Sequence, residues 1–232
     1  MRPTPTTPDS AAAALFEVWY RRHLRPALLA RALRPHVGAG DAADAATRVS
    51  PAEDVLADAR VDLELFEAPG DRLGPDPEKR LAEIVTSTLP AAVADLAGLL
   101  GPDRAKWSWG RLHVARARHP LAALLTGVPE DLLAAGPAPR GGSGDTVCDT
   151  AYGPDFVQSA GATFRVVVDV GRWDSSLAMN APGQSGRLGE PHTTDLFAPW
   201  SQGEAFPLLY SRERVEEAAE QVIELRPSPE AP

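Results

Sequence analysis

Apolar positions along the chain change period about half-way. Between Ser10 and Leu100 they recur every three or four residues, and from Trp107 onward they tend to alternate. The first run, "AAAALFEVWYRRHLRPALLARAL", follows Ser10 and places Leu15, Trp19 and Leu24 near one face. This spacing predicts a helix capped by Ser10 and kinked at Pro26, whose ring cannot fit a regular helix interior. A second helix is expected from Ser50, with Pro51 in its first turn and Glu53 completing a capping box. Its stripe runs through Val55, Leu56, Ala59, Leu63 and Phe66. A third opens at Asp76-Pro77 and carries Leu81, Ile84, Val85, Leu89, Val93, Leu96 and Leu100. Pro90 should kink it and Gly101-Pro102 should stop it. Such stripes are core-facing surfaces.

The second half predicts strands. "WSWGRLHV" sets Trp107 and Trp109 on one parity and Leu112 and Val114 on the other, which a bulge at Gly110 would reconcile. Strands are expected at Trp107–Val114, Thr146–Asp149, Phe164–Val170, Leu177–Asn180 and Val222–Leu225, in one antiparallel sheet under the helices of the first hundred residues. "GPAPRGGSGDT" is a glycine- and proline-rich connection, and Ser211 should cap a helix in the tail. Helices first and strands later give an α+β class. The expected division is a mainly helical segment over 1–104 and a sheet-completing segment over 105–232, together one incomplete domain. "FRVVVDV" adds a further expectation. Val167 lies on the parity opposite to Phe164, Val166, Val168 and Val170, so the strand calls for cover on both faces.

The net charge of −9 and the lack of a basic run argue against nucleic-acid binding. Lysine occurs only at Lys79 and Lys106, a genome-level bias toward arginine and not a site. A single cysteine, Cys148, rules out an internal disulfide and a cysteine-based zinc cluster, and its apolar setting predicts burial. The first ten residues lack the apolar core of an export signal, and no continuous run of about 18 apolar residues suggests a membrane span. The expectation is a soluble chain of unknown location.

Candidate chemistry is sparse. "NAPGQSG" offers Ser185 between glycines, but the second glycine of a Gly-x-Ser-x-Gly elbow would have to stand where Arg187 does. "GGSGD" holds Ser143 but leads into a strand pattern, where a phosphate loop needs a helix; a flexible entry into a sheet is expected. His113 and His119 are six apart, which fits neither a helical ligand pair nor a usual zinc spacing, and His192 stands alone, so all three are expected to be structural or at the surface. Asp169 and Asp174 are candidate loop caps.

The second half resembles the carboxyl end of the penicillin acylase (penicillin amidase) family. The resemblance is carried, in order, by "WSWGRLHVARARHPL", "GGSGDTV", "FRVVVDVGRWDSSLAMNAPGQSG", "PHTTDLFAPWSQGEAFPLLYSRE" and "VIEL". It implies an N-terminal nucleophile hydrolase with a four-layer αββα sandwich. In that family a self-cleaved precursor exposes a serine whose own α-amine acts as base. Implied substrates are acylated amines, among them β-lactam antibiotics and acyl-homoserine lactones. The family's nucleophile, oxyanion-hole asparagine and structural calcium ligands fall upstream of the matched motifs. No catalytic, cofactor-binding or metal residue is therefore carried onto this chain, and Met1-Arg2 supplies no nucleophile. "NAPGQSG" becomes a loop after core strands, with Ser185 a turn residue. The resemblance implies a carboxyl-terminal part of an amide hydrolase, inactive alone and completed by an amino-terminal partner chain. The alternatives are a non-catalytic interaction module and a hydrolase using Ser143 or Ser185. No nucleic acid, membrane or cofactor is expected as a partner.

Overall fold

A computed structural model describes residues 6–33, 75–144 and 146–226. The helix expected from Ser50 lies outside the described residues. The chain divides into two compact units, Met1–Arg116 with Pro137–Gly161, and Ala117–Gly136 with Ala162–Pro232. Helices and small antiparallel sheets together make the protein α+β.

In the first unit, Ser10 caps α1 (Ala11–Trp19) by accepting from the Ala13 amide at 3.0 Å. The helix then widens into a π-helical turn, Tyr20–Leu24, before α2 (Arg25–Leu33). Pro26 explains the placement. Its ring would clash with the carbonyl one turn back, and the wider turn that ends at Arg25, whose amide bonds the Tyr20 carbonyl, relieves this. The most deeply buried positions of α1 are Ala14 and Val18, one turn apart, while Leu15 and Trp19 are partly buried beside them.

The third helix, α3 (Pro77–Leu100), starts at the Asp76 cap, runs through Pro90 and stops at Gly101. Its Leu96 and Leu100 pack with Ala14 and Val18 of α1 and with Trp107, Trp109 and Phe156. Farther along, Leu81, Ile84 and Val85 close over Leu24 and Leu28. By length and composition alone, Glu78–Leu100 also meets the requirement for crossing a bilayer, with a mean hydropathy of 1.3.

The expected strand Trp107–Val114 is not formed. A 3-10 turn at Arg104–Lys106 precedes it, another at Trp109–Arg111 lies within it, and β1 (Val114–Arg118) begins only at its last residue. Local bonds decide this: Trp107 N–H bonds the Arg104 carbonyl and Leu112 N–H the Trp109 carbonyl, leaving no ladder to build. Gly110 is no bulge. It packs so closely that an added Cβ would lie 2.8 Å from Pro139 and 2.9 Å from Pro8. Thr146–Asp149 is likewise a sequence of bends, and β3 (Thr150–Tyr152) follows it, paired antiparallel with β4 (Gln158–Gly161). Earlier in the chain, β2 (Ala134–Pro139) pairs with β1, and the boundary of the two units falls inside both strands.

The second unit carries α4 (Glu130–Leu133) and a three-stranded sheet in the order β5 (Phe164–Val167), β6 (Leu177–Asn180), β7 (Phe206–Pro207). The register sets Arg165 opposite Met179, and Val166 opposite Ala178, which faces Phe206 in turn. Helix α5 (Phe197–Gln202) anchors to β5: the Trp200 indole donates to the Ala162 carbonyl at 3.0 Å, and Arg165 donates to the Trp200 carbonyl. The expected strand Phe164–Val170 is shortened because Asp169 turns the chain, accepting from Gly171 and Arg172 amides at 3.0 Å each. Ser211 caps α6 (Arg212–Ala218) as expected. Val222–Leu225 has no regular structure and is exposed, so this expected strand is also absent. Among the described residues the strands thus form three small sheets, not one.

Candidate functional site

Ser143 sits in a clasp that its neighbours close on every side. Gly142 adopts φ +84°, and a Cβ there would lie 1.8 Å from the Cys148 carbonyl oxygen, so the loop demands glycine. The Gly142 carbonyl accepts from the buried Trp109 indole at 2.8 Å, and the Gly142 amide donates to the Thr6 carbonyl. The Ser143 amide donates to the Thr146 hydroxyl at 2.8 Å, and its carbonyl accepts from the Thr150 amide. Ser143 itself is buried. Amides already spent in this way cannot cradle a phosphate or an oxyanion, and the loop is a fixed corner where a flexible entry was expected. Cys148 is exposed, against the expected burial, because its segment forms the outer bend of this corner.

Beneath the clasp lies a buried polar cluster. His113 stacks on Trp109 with centroids 4.8 Å apart. Its Nδ1 faces the Phe156 carbonyl at 2.8 Å and its Nε2 the Thr150 hydroxyl at 3.0 Å. A carbonyl only accepts, so Nδ1 carries the proton and Nε2 accepts from Thr150. Burial holds the imidazole below its ordinary pKa, so it stays neutral. Tyr152 donates to Glu17, buried on α1, and accepts from Arg21 Nε at 3.1 Å. Burial first, and then the Glu17 carboxylate, push the phenol up from its ordinary value. These groups hold α1 to the β3–β4 hairpin. Sequence reading missed Glu17, Arg21 and Tyr152; the one available signal was an acid at Glu17 one turn from Ala13 on the inward side of α1.

Ser185 lies in a turn, as expected. Its amide donates to the His192 carbonyl at 2.8 Å, and its hydroxyl accepts from the Arg187 amide at 3.2 Å. His192 pairs with Asp195 at 2.7 Å, and the hydrogen bond to that carboxylate raises its pKa. A serine, a histidine and an aspartate thus share one loop, but the hydroxyl serves the turn and the ring is exposed, with no bond between them. His119 caps the turn after it, accepting from the Leu121 amide at 3.1 Å. Asp169 and Asp174 are loop caps, as expected: Asp174 accepts from the Tyr210 and Ser211 amides at 2.8 and 2.9 Å, bonds that hold its carboxyl below the usual range. Among the described residues, no three His, Cys, Asp or Glu side chains gather as a metal site.

Residues 4–217 match the Penicillin amidase family. The chain belongs to this family. It is 36% identical over 148 residues to penicillin acylase 2 proenzyme from Pseudomonas sp. (strain SE83), covering 63% of this chain and 18% of that protein. It is 30% identical over 132 residues to the acyl-homoserine lactone acylase QuiP of Pseudomonas aeruginosa, covering 52% of this chain and 16% of the relative. The QuiP of Pseudomonas fluorescens (strain Pf0-1) aligns over 207 residues at 27% identity, covering 85% of this chain and 23% of the relative. The chain therefore spans less than a quarter of the length of each of these relatives. The penicillin amidase match takes in residues of both compact units, including the Ser143 clasp, the His113 cluster and the β5–β7 sheet.

Proposed function

We propose that this chain is a scaffold portion of a penicillin amidase-type hydrolase, the carboxyl-terminal part of the sandwich, and that the nucleophilic serine resides on another portion. The observation that carries the reading is the state of the two candidate serines: Ser143 is buried in a closed clasp and Ser185 caps a turn, inside a chain that matches the family over residues 4–217. A nucleophile needs a base within hydrogen-bond reach, and among the described residues no such contact forms at either hydroxyl. The substrates proposed for the completed enzyme are acylated amines, N-acylated β-lactams and acyl-homoserine lactones, the classes named in the relatives. Any structural calcium would bind that other portion.

The test is turnover of penicillin G, a chromogenic phenylacetyl amide and an acyl-homoserine lactone. The chain alone should be inactive, and its intact mass should show no cut at Gly142-Ser143. Co-expression with the remainder of a family proenzyme should restore turnover. Activity of the isolated chain that disappears in Ser143→Ala or Ser185→Ala would overturn the reading.

A further inference from the structure

We propose that the free edge of β5 receives an extended strand from the portion of the hydrolase outside this chain, and that this strand brings a carboxylate to Arg165. The proposal rests on the reading that the chain is one part of a larger enzyme. Among the described residues, β5 ends the order β5–β6–β7 and is bonded on one side only. Exposed edges are ordinarily protected by lysine, proline or a bulge. β5 has none of these: its four residues pair with β6 in regular register. Its apolar side chains are open on both faces, with Phe164, Val166 and Val167 exposed at 59%, 45% and 65%.

The chemistry of the incoming strand follows from Arg165. Its guanidinium lies over the Trp200 ring, one terminal nitrogen donates to the Trp200 carbonyl, and Nε is buried with no hydrogen-bond partner. Among the described residues no carboxylate pairs with it. A half-buried guanidinium with a buried, unbonded Nε and no counter-ion is unfavourable, and a carboxylate directly across a strand pair supplies one. A second copy of β5 would bring another guanidinium to the edge instead. The chain's own Val222–Leu225 carries Glu224, but that carboxylate already bonds Arg226 at 2.8 Å. The relatives supply the length: this chain covers only 16–23% of them.

The probe is the SE83 penicillin acylase 2 proenzyme lacking the stretch that aligns with this chain, in a form that re-associates with its own excised stretch. Co-expressed with this chain, it should form a complex in which the Phe164–Val167 amides exchange hydrogen at least tenfold more slowly. Arg165→Met should weaken association at least tenfold, and Arg165→Lys less. A complex that hydrolyses substrate while β5 exchange is unchanged overturns the proposal and leaves the scaffold reading standing. Failure to associate overturns both. Slow β5 exchange in the chain alone also overturns it: if lost on deleting residues 219–232 the occupant is the tail, and if dependent on concentration it is a second copy.

Discussion

Gly142 and His113 hold the two ends of one buried assembly, and each can be tested alone. At Gly142 a side chain meets two obstacles, a left-handed φ of +84° and the Cys148 carbonyl 1.8 Å from the new carbon. Backbone atoms cannot swing aside as a flexible side chain can, so Gly142→Ala should cost at least about 2 kcal/mol in urea denaturation. Gly186→Ala, where nothing lies within 4 Å, should stay within about 0.5 kcal/mol of the parent. His113 governs pH dependence instead. Burial depresses its folded pKa, so the unfolded chain takes up the proton first as pH falls below the ordinary histidine value of 6.5. The stabilisation is present above that value and is lost on acidification, at no more than about 1.4 kcal/mol per pH unit. His192 titrates with the opposite sign, because its pKa is raised and its contribution fades as pH rises. The diagnostic quantity is therefore the difference between parent and His113→Phe. The variant should be less stable by about 1–3 kcal/mol at pH 7.5, through the unpaired Thr150 hydroxyl and Phe156 carbonyl, and the gap should narrow toward pH 5.5. A gap that widens on acidification would refute the neutral assignment.

Among the elements, those fixed by their own residues behave as local chemistry demands. The Ser10 hydroxyl bonds the Ala13 amide, so Ser10→Ala should lower stability by about 1 kcal/mol with the native circular dichroism retained. Asp76, Pro77, Gly101 and Ser211 mark helix ends in the same self-contained way, and all were legible in the sequence. The strands were legible only where a partner lies close. Leu177–Asn180 is a strand because β5 and β7 flank it. The alternation at Trp107 and Trp109 has another cause: each indole reaches inward to a carbonyl, Gly101 or Gly142, from a backbone bonded to itself in 3-10 turns. Period-two burial does not distinguish such a chain from a strand. At Thr146 the hydroxyl captures the Ser143 amide and bends the segment before a ladder can form. Val222–Leu225 has the composition of a strand but no strand beside it among the described residues, and a strand without a partner is only extended chain. The candidate site was legible as far as Ser185 and Asp169, whose partners lie near in sequence, and Asp174, legible as a loop cap though the amides it caps lie 36 and 37 residues on. The Glu17–Tyr152 bond joins residues 135 apart in sequence, and no local pattern announces it.

At the scale of the molecule, the two units differ in how completely they bury their own apolar surface. The first encloses Val18, Leu96 and Trp109 at full burial. The second leaves Phe164, Val166 and Phe206 exposed, and beyond β5 Val168 and Val170 are exposed at 47% and 77%. Trp173 and Tyr210, with ring centroids 5.2 Å apart, add two further exposed aromatics. Exposed apolar side chains in this number bind other apolar surface in solution. The chain alone should therefore bind anilinonaphthalene dye while folded and self-associate as its concentration rises. Val170 projects into solvent, so Val170→Lys should change the unfolding free energy by less than about 0.5 kcal/mol. A lysine at this exposed apolar position should nonetheless reduce both dye binding and self-association, since it replaces apolar surface with a charge. Light scattering and dye fluorescence on parent and variant, at matched stability, separate surface exposure from partial unfolding. A parent that is a monodisperse monomer without dye binding would show that this unit needs no cover, and would favour an independent interaction module over a portion of a larger hydrolase.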